Sequence, residues 1–356
     1  MTMKTLRGVV AGGFFGAMCV GAVSSADAGA AVASQPAAAN APVVPREPRV
    51  HDPSMIIKEE GGDYWFFCTG NGVSAWRSRD LATWERERPV FETMPAWHRE
   101  VVPEQKGHLW APDVIKGTDG RYWFYYSVSS FGVNMSAIGL ATAVTLDPAS
   151  PEYGWRDEGI VVRSEKADKF NAIDPAIFRD EDGRLWMSFG SFWSGLKLIE
   201  LDAKTGKRLT DGPMFSIAWK EEIEAPAIHK RDGWYYLFVN WGICCRGADS
   251  TYEIRVGRSR EITGPYVDRE GVELMKGGGT KFLATEGAMI GPGHVGIFAE
   301  GGREWLGIHF YDGADKGRPT FALRELGWGE DGWPVAGAVK ATRLLSTRQT
   351  PGPVAP

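Results

Sequence analysis

Five stretches of the chain repeat one pattern of apolar and polar positions. A short apolar run beside a proline leads into a charged turn with glycine, and an aromatic and aliphatic run follows. The stretches are DPSMIIKEEGGDYWFFCTG from Asp52, APDVIKGTDGRYWFYYSVSS from Ala111, DPAIFRDEDGRLWMSFGSFW from Asp174, APAIHKRDGWYYLFVNWG from Ala225 and, more weakly, GPGHVGIFAEGGREWLGIHFYD from Gly291. Aligning Pro53, Pro112, Pro175, Pro226 and Pro292 gives separations of 59, 63, 51 and 66 residues. The turns GTDGR, DEDGR and KRDGW have hairpin chemistry. Further strand-like runs, such as SAIGLATAV at Ser136 and YEIRVGRS at Tyr252, lie between the repeats, and helical periodicity is nearly absent. Four strands per repeat predict an all-β chain folded as a five-bladed β-propeller with its active site at the central funnel. A β-sandwich is the alternative, but sandwiches do not usually repeat at this period.

A propeller brings corresponding positions of its blades together at the channel. Those positions are His51-Asp52, Trp110-Ala111 with Asp113, Ile173-Asp174, Glu224-Ala225 and Gly293-His294. Three blades thus deliver a carboxylate at or beside the same register: Asp52, Asp174 and Glu224. By contrast, Asp180, Glu181 and Asp182 read as a solvated turn. A single carboxylate at a strand mouth is ordinarily a turn cap or the partner of an arginine. Three converging on one pocket point to chemistry. Two carboxyls across a cleft are the minimum for hydrolysing a glycosidic bond, one protonated to serve the leaving oxygen and one ionised to activate water. A third nearby can raise the acid's pKa by like-charge repulsion.

Composition narrows the substrate. The 356 residues include 15 Trp, and 12% are aromatic. Most of these rings fill a β core, but Trp110, Phe131, Phe192 and Trp193 lie near the carboxylate positions, where flat rings can carry sugars. The net charge is −5 with no Lys/Arg-dense run. That disfavours nucleic acid, which needs a basic face, and suits a neutral substrate.

These residues resemble glycoside hydrolase family 43, and within it the endo-acting α-1,5-L-arabinanases. The matching stretches include HDPS, LWAPDV, YYSVSSFGVNMSAIGLA, FNAIDPAIF, FGSFWSGLKL, IEAPAI, CCRGADSTYEIRVGRS and GPGH, spread from His51 to about Pro334. The resemblance implies hydrolysis of linear arabinan with inversion. It makes Asp52 the general base, Glu224 the general acid, and Asp174 the group that tunes and orients the acid. Inversion places base and acid about 6.5–9.5 Å apart, leaving room for a water. The resemblance also implies substrate contacts at Gly132, at Asn171, Ala172 and Ile173, and at Ser191, Phe192 and Trp193, with Arg246 a weaker candidate. It implies one calcium ion near His294, an unusual ligand because calcium prefers oxygen. No organic cofactor is expected. Trp241 stands where relatives often carry another residue, and no second β domain follows Trp333, as in the compact members. The competing readings are an exo-acting α-L-arabinofuranosidase or β-xylosidase of the same family, favoured if a loop such as Glu92 to Lys106 blocks the cleft, and a sugar-binding propeller without catalysis.

The start of the chain reads as an export signal: Lys4 and Arg7, an apolar run from Gly8 to about Val23, and a small-x-small site at Ala26-Asp27-Ala28. GAMC is a poor lipobox, and the run is too short and too rich in Gly and Ala to span a membrane. The expected layout is a signal at 1–28, a linker at 29–48, the catalytic propeller at 49–345 and a flexible tail at 346–356. The expected protein is a secreted or periplasmic monomer without nucleic-acid or membrane partners. Of the four cysteines, Cys19 leaves with the signal. Cys68, Cys244 and Cys245 read as buried thiols, because adjacent cysteines rarely pair with each other.

Overall fold

The computed structural model of the protein describes residues 48–344 apart from Gly61. The signal, the tail and nearly all of the linker lie outside the described residues. Five antiparallel sheets follow one another along the chain. Blade I holds Ile57–Lys58, Tyr64–Cys68, Ser74–Ser78 and Thr83–Arg86, and blade II holds His108–Lys116, Tyr122–Val128, Ser136–Ala143 and Arg156–Ser164. Blade III holds Ala176–Arg179, Leu185–Phe189, Leu196–Leu201 and Met214–Ala218. Blade IV holds Ile223–Arg231, Trp234–Trp241, Glu253–Ser259 and Thr280–Leu283, and blade V holds Met289–Glu300, Arg303–Asp312, Arg318–Trp328 and Pro334–Lys340. A central cavity of about 250 Å³ is lined from all five innermost strands, by Pro53, Asp113, Pro175, Ala227 and His294 among others. Among the described residues, no helix is long and apolar enough to cross a membrane.

The ring closes at both ends. Phe321 N–H of blade V donates to Pro48 O at 3.0 Å, while Arg343–Leu344 pairs in parallel with Thr83–Trp84 of blade I.

The aromatic strands lack clean alternation because both of their faces are buried. Tyr122, Phe124 and Tyr126 pack into the core shared with blade I, while Trp123 and Tyr125 face the core shared with blade III. In blade IV, Tyr235, Leu237 and Val239 turn toward blade III, and Tyr236 and Phe238 toward blade V. A fifth core joins Phe66, Trp76 and Trp84 of blade I to Trp305, Phe321 and Leu323 of blade V. Burying one such phenylalanine contributes about 1.5–3 kcal/mol. The five cores between blades therefore hold the ring together.

Each innermost strand carries one non-glycine residue in the left-handed region, ahead of the strand in blades I and III and at a bulge within it in blades II, IV and V. These are Asp52 (φ 52°), Ala111 (φ 39°), Asp174 (φ 58°), Ala225 (φ 53°) and His294 (φ 53°). Four of them precede a proline, which excludes the ordinary helical conformation at that position. The fifth corrects the alignment of repeats. Its kink falls at His294, so the residue matching Pro53 is Val295 rather than Pro292.

Asp113 follows the kink in blade II and ties three blades together. Its carboxylate accepts N–H bonds from Met55 of blade I at 3.1 Å and Ile177 of blade III at 2.8 Å. Burial pushes this carboxyl up to about 7 despite those bonds. Asp113→Ala leaves two buried N–H groups unpaired and is expected to cost about 2–5 kcal/mol of stability. Denaturant unfolding checks this, and an unchanged midpoint would show that the tie is dispensable. Asp180 corrects another expectation. It is buried, not solvated, because Lys230 Nζ (2.8 Å) and Tyr235 Oη (2.6 Å) reach it from blade IV.

Candidate active site

The three carboxyls occupy one site with opposed electrostatics. Asp52 Oδ2 is 2.7 Å from His51 Nδ1 and accepts the Thr69 hydroxyl at 2.6 Å. The Asp52 backbone N–H donates to His309 Nδ1 at 3.0 Å. Burial alone would raise the Asp52 pKa, but the charge and hydrogen bond of His51 hold this carboxyl far below the usual range. Asp52 is therefore ionised.

Glu224 is the counterpart. It lies on the blade IV strand one residue before its kink and accepts the Ser191 hydroxyl at 2.6 Å. Burial, then the negative charge of Asp52, pushes it up to about 7 against the opposing Ser191 hydrogen bond. Asp174 is raised well above its ordinary value, first by burial and then by Glu224 and Asp52. Its backbone N–H donates to Ser127 Oγ at 3.1 Å. One largely buried site thus holds an ionised Asp52 beside two carboxyls whose pKa values are raised. This is the acid and base assignment that glycoside hydrolysis needs.

The expected platforms surround these groups. Trp110 and Phe131 pack with ring centroids 4.8 Å apart, and Phe131 is 76% exposed. Phe192 (φ 53°) and Trp193 (φ 43°) stand in successive left-handed positions just after Ser191, on a turn closed by the Gly195 N–H to Phe192 O bond. Left-handed non-glycine residues cost of order 1–3 kcal/mol each and cluster where function requires them. Gly132 lies exposed next to Phe131. Ile173 is buried, and its carbonyl accepts from Gly190 N–H. Asn171 and Ala172 support the turn from inside: Asn171 Oδ1 accepts from Ser136 Oγ at 2.7 Å, and Ala172 packs in the core between blades II and III. Arg246 is exposed at the edge of a short loop.

The profile of Glycosyl hydrolases family 43 matches residues 40–334. The chain belongs to glycosyl hydrolase family 43. A relative from Cellvibrio japonicus, named as an extracellular exo-α-(1→5)-L-arabinofuranosidase, is 40% identical over 84% of this chain and 89% of its own. One from Bacillus subtilis, named as an extracellular endo-α-(1→5)-L-arabinanase, is 41% identical over 80% of this chain and 87% of its own. The structure of Cellvibrio cellulosa α-L-arabinanase complexed with arabinohexaose superposes with a TM-score of 0.78 at 40% identity, covering 82% of this chain and 96% of that one.

The hydrolase places more around its candidate base than sequence reading marked. His51 stacks on His309 at 4.1 Å, and His51 Nε2 is 2.7 Å from the Tyr311 hydroxyl. The signal for the last two was a His and a Tyr two apart on an apolar strand, which places both on one face. Asn240 was also missed. Fully buried, it accepts the His294 backbone N–H at 3.0 Å and so fixes the kink of blade V.

The loop after Trp241 overturns the cysteine expectation. Cys244 and Cys245 form a disulfide, Cys244 is only partly buried, and Cys245 is exposed. Cys68 alone is the expected buried thiol. Cys245 N–H donates to Tyr311 Oη at 2.6 Å, and its sulfur is 3.6 Å from His51 Nε2. Cys245 therefore holds the loop against the tyrosine and the histidine beside Asp52.

Burial lowers the His294 pKa and keeps its imidazole neutral. Nδ1 lies 3.7 Å from Asp52 Oδ1, beyond hydrogen-bond range. A neutral ring on the channel wall beside a carboxylate fits a cation held by one nitrogen and by water that the carboxylate retains. It does not fit a cation that needs a full protein shell.

Proposed function

We propose that this family 43 hydrolase cuts α-1,5-linked L-arabinan within the chain and with inversion. The observation that carries the reading is the pairing of an Asp52 kept ionised with a Glu224 whose pKa is raised to about 7, in one funnel flanked by exposed aromatic rings. Asp52 draws a proton from a water that attacks the anomeric carbon, Glu224 gives its proton to the departing oxygen, and Asp174 orients the acid, whose raised state comes from burial and from Asp52. The names of the similar proteins agree on the linkage and differ on endo or exo action. The endo reading takes the segment Glu92 to Lys106 to leave the cleft open. Met94, Trp97, Val101 and Val102 pack into the core between blades I and II, which holds the segment down against the blades. The extracellular relatives and the signal-like start together support secretion, and the protein acts as a monomer.

The test is a product profile. Linear arabinan should yield short oligosaccharides of mixed length, with little action on a chromogenic single-arabinose glycoside. Free arabinose as the sole early product would assign exo action instead. Activity should also decline as pH rises through about 7, because Glu224 must be protonated to act. Above that point kcat/KM should fall about tenfold per pH unit, while ionised Asp52 imposes no loss down to pH 4. A flat alkaline limb would remove Glu224 from the role of acid.

His294 would hold the calcium ion, whose charge at the channel centre would favour the ionised form of Asp52. Chelation with EDTA should then lower kcat, with recovery on adding calcium. Unchanged activity after exhaustive chelation would leave His294 as a wall residue.

A further inference from the structure

Next to Trp193 a second indole stands open to solvent. Trp219 is 44% exposed and Trp193 41%, whereas Trp186 and Trp123 are buried in the cores between blades. Trp219 is nonetheless held firmly. Its backbone N–H donates to Leu274 O at 3.0 Å, and its indole N–H donates to the Trp193 carbonyl at 3.3 Å. The backbones beneath are in close contact: a Cβ at Gly195 would fall 2.2 Å from Ala218 O and 2.9 Å from Trp219 Cα. Only glycine therefore fits at Gly195 (φ 75°), and the turn that displays Trp193 is locked to the segment that carries Trp219. That segment runs directly into the strand bearing Glu224, five residues on.

An indole fixed at its backbone and its N–H edge, with so much of it in water, has the form of a platform. The pyrrole nitrogen is satisfied by protein, so the exposed part offers an apolar surface without a polar demand. The flat C–H face of a sugar is the ligand that matches it. On this basis we infer that Trp219 is an outer subsite of the cleft, which stacks a furanose unit of the arabinan chain beyond the unit at Trp193 and sets the preference for long substrates. The inference rests on the hydrolase reading above and adds a specificity-determining residue to it.

The test compares the wild type, Trp219→Ala and Trp219→Phe on linear arabinan and on arabinotriose. For Trp219→Ala, kcat/KM on the polymer should fall about three- to tenfold, through KM with kcat kept, as expected for one lost stacking contact. Activity on arabinotriose, too short to reach the outer ring, should be unchanged, and Trp219→Phe should recover most of the loss. If the alanine variant does not fold, Trp219→Leu keeps apolar volume without a flat face and makes the same comparison. Equal losses on both substrates, or no loss on either, would overturn the subsite while wild-type turnover left the hydrolase reading standing. If the wild type cleaved neither substrate, both would fall together.

Discussion

Glu224→Gln is expected to lower kcat on linear arabinan by about 10²–10⁴-fold while arabinan binding is retained. The amide keeps the size of the side chain and still accepts from Ser191, but it has no proton to give the departing sugar oxygen. The loss should depend on the leaving group. From a 4-nitrophenyl arabino-oligosaccharide the 4-nitrophenolate departs without protonation, so the variant should recover much of its rate on that substrate. Equal loss on both substrates would mean that Glu224 is not the acid. Full activity on both would remove it from the reaction.

Asp52→Asn should be as damaging and should not discriminate in this way. Water must be activated whatever group leaves, so a fall of about 10²–10⁴-fold is expected on arabinan and on the nitrophenyl oligosaccharide alike. His51 and Thr69 both reach Oδ2, a position the amide oxygen can still fill. Binding measured by calorimetry with arabinohexaose separates this loss from misfolding. Retained binding with lost turnover places Asp52 in the chemistry, and retained turnover excludes it. Taken together, the two variants assign the acid and the base from leaving-group dependence alone.

Much of this arrangement was legible in the residues because a propeller writes its repeat into the chain. The charged glycine turns and the aromatic runs marked five blades, and the proline-adjacent carboxylates marked the funnel. What escaped depends on partners distant in sequence. His309 meets Asp52 across 257 residues, a pairing that only ring closure creates. Asp180 looked solvated because the Lys230 and Tyr235 that bury it belong to the next blade. Pro292 misled because the fifth blade makes its kink without a following proline, using Asn240 to hold it instead. The cysteine pair was misjudged because the rule against bonding neighbours is a local one, and the loop here overrides it.

The left-handed kink in each blade carries a wider consequence. The kink is present at Ala111 and Ala225, which have no chemistry of their own, as well as at Asp52, Asp174 and His294. The backbone shape thus comes from the architecture and not from the reaction. A propeller of this kind offers five equivalent sockets at its hub, and this chain fills two with carboxylates, one with an imidazole and two with methyl groups. New reactivity can then be sought by exchanging single side chains at Ala111 or Ala225, in backbones already shaped to present them, without rebuilding a loop.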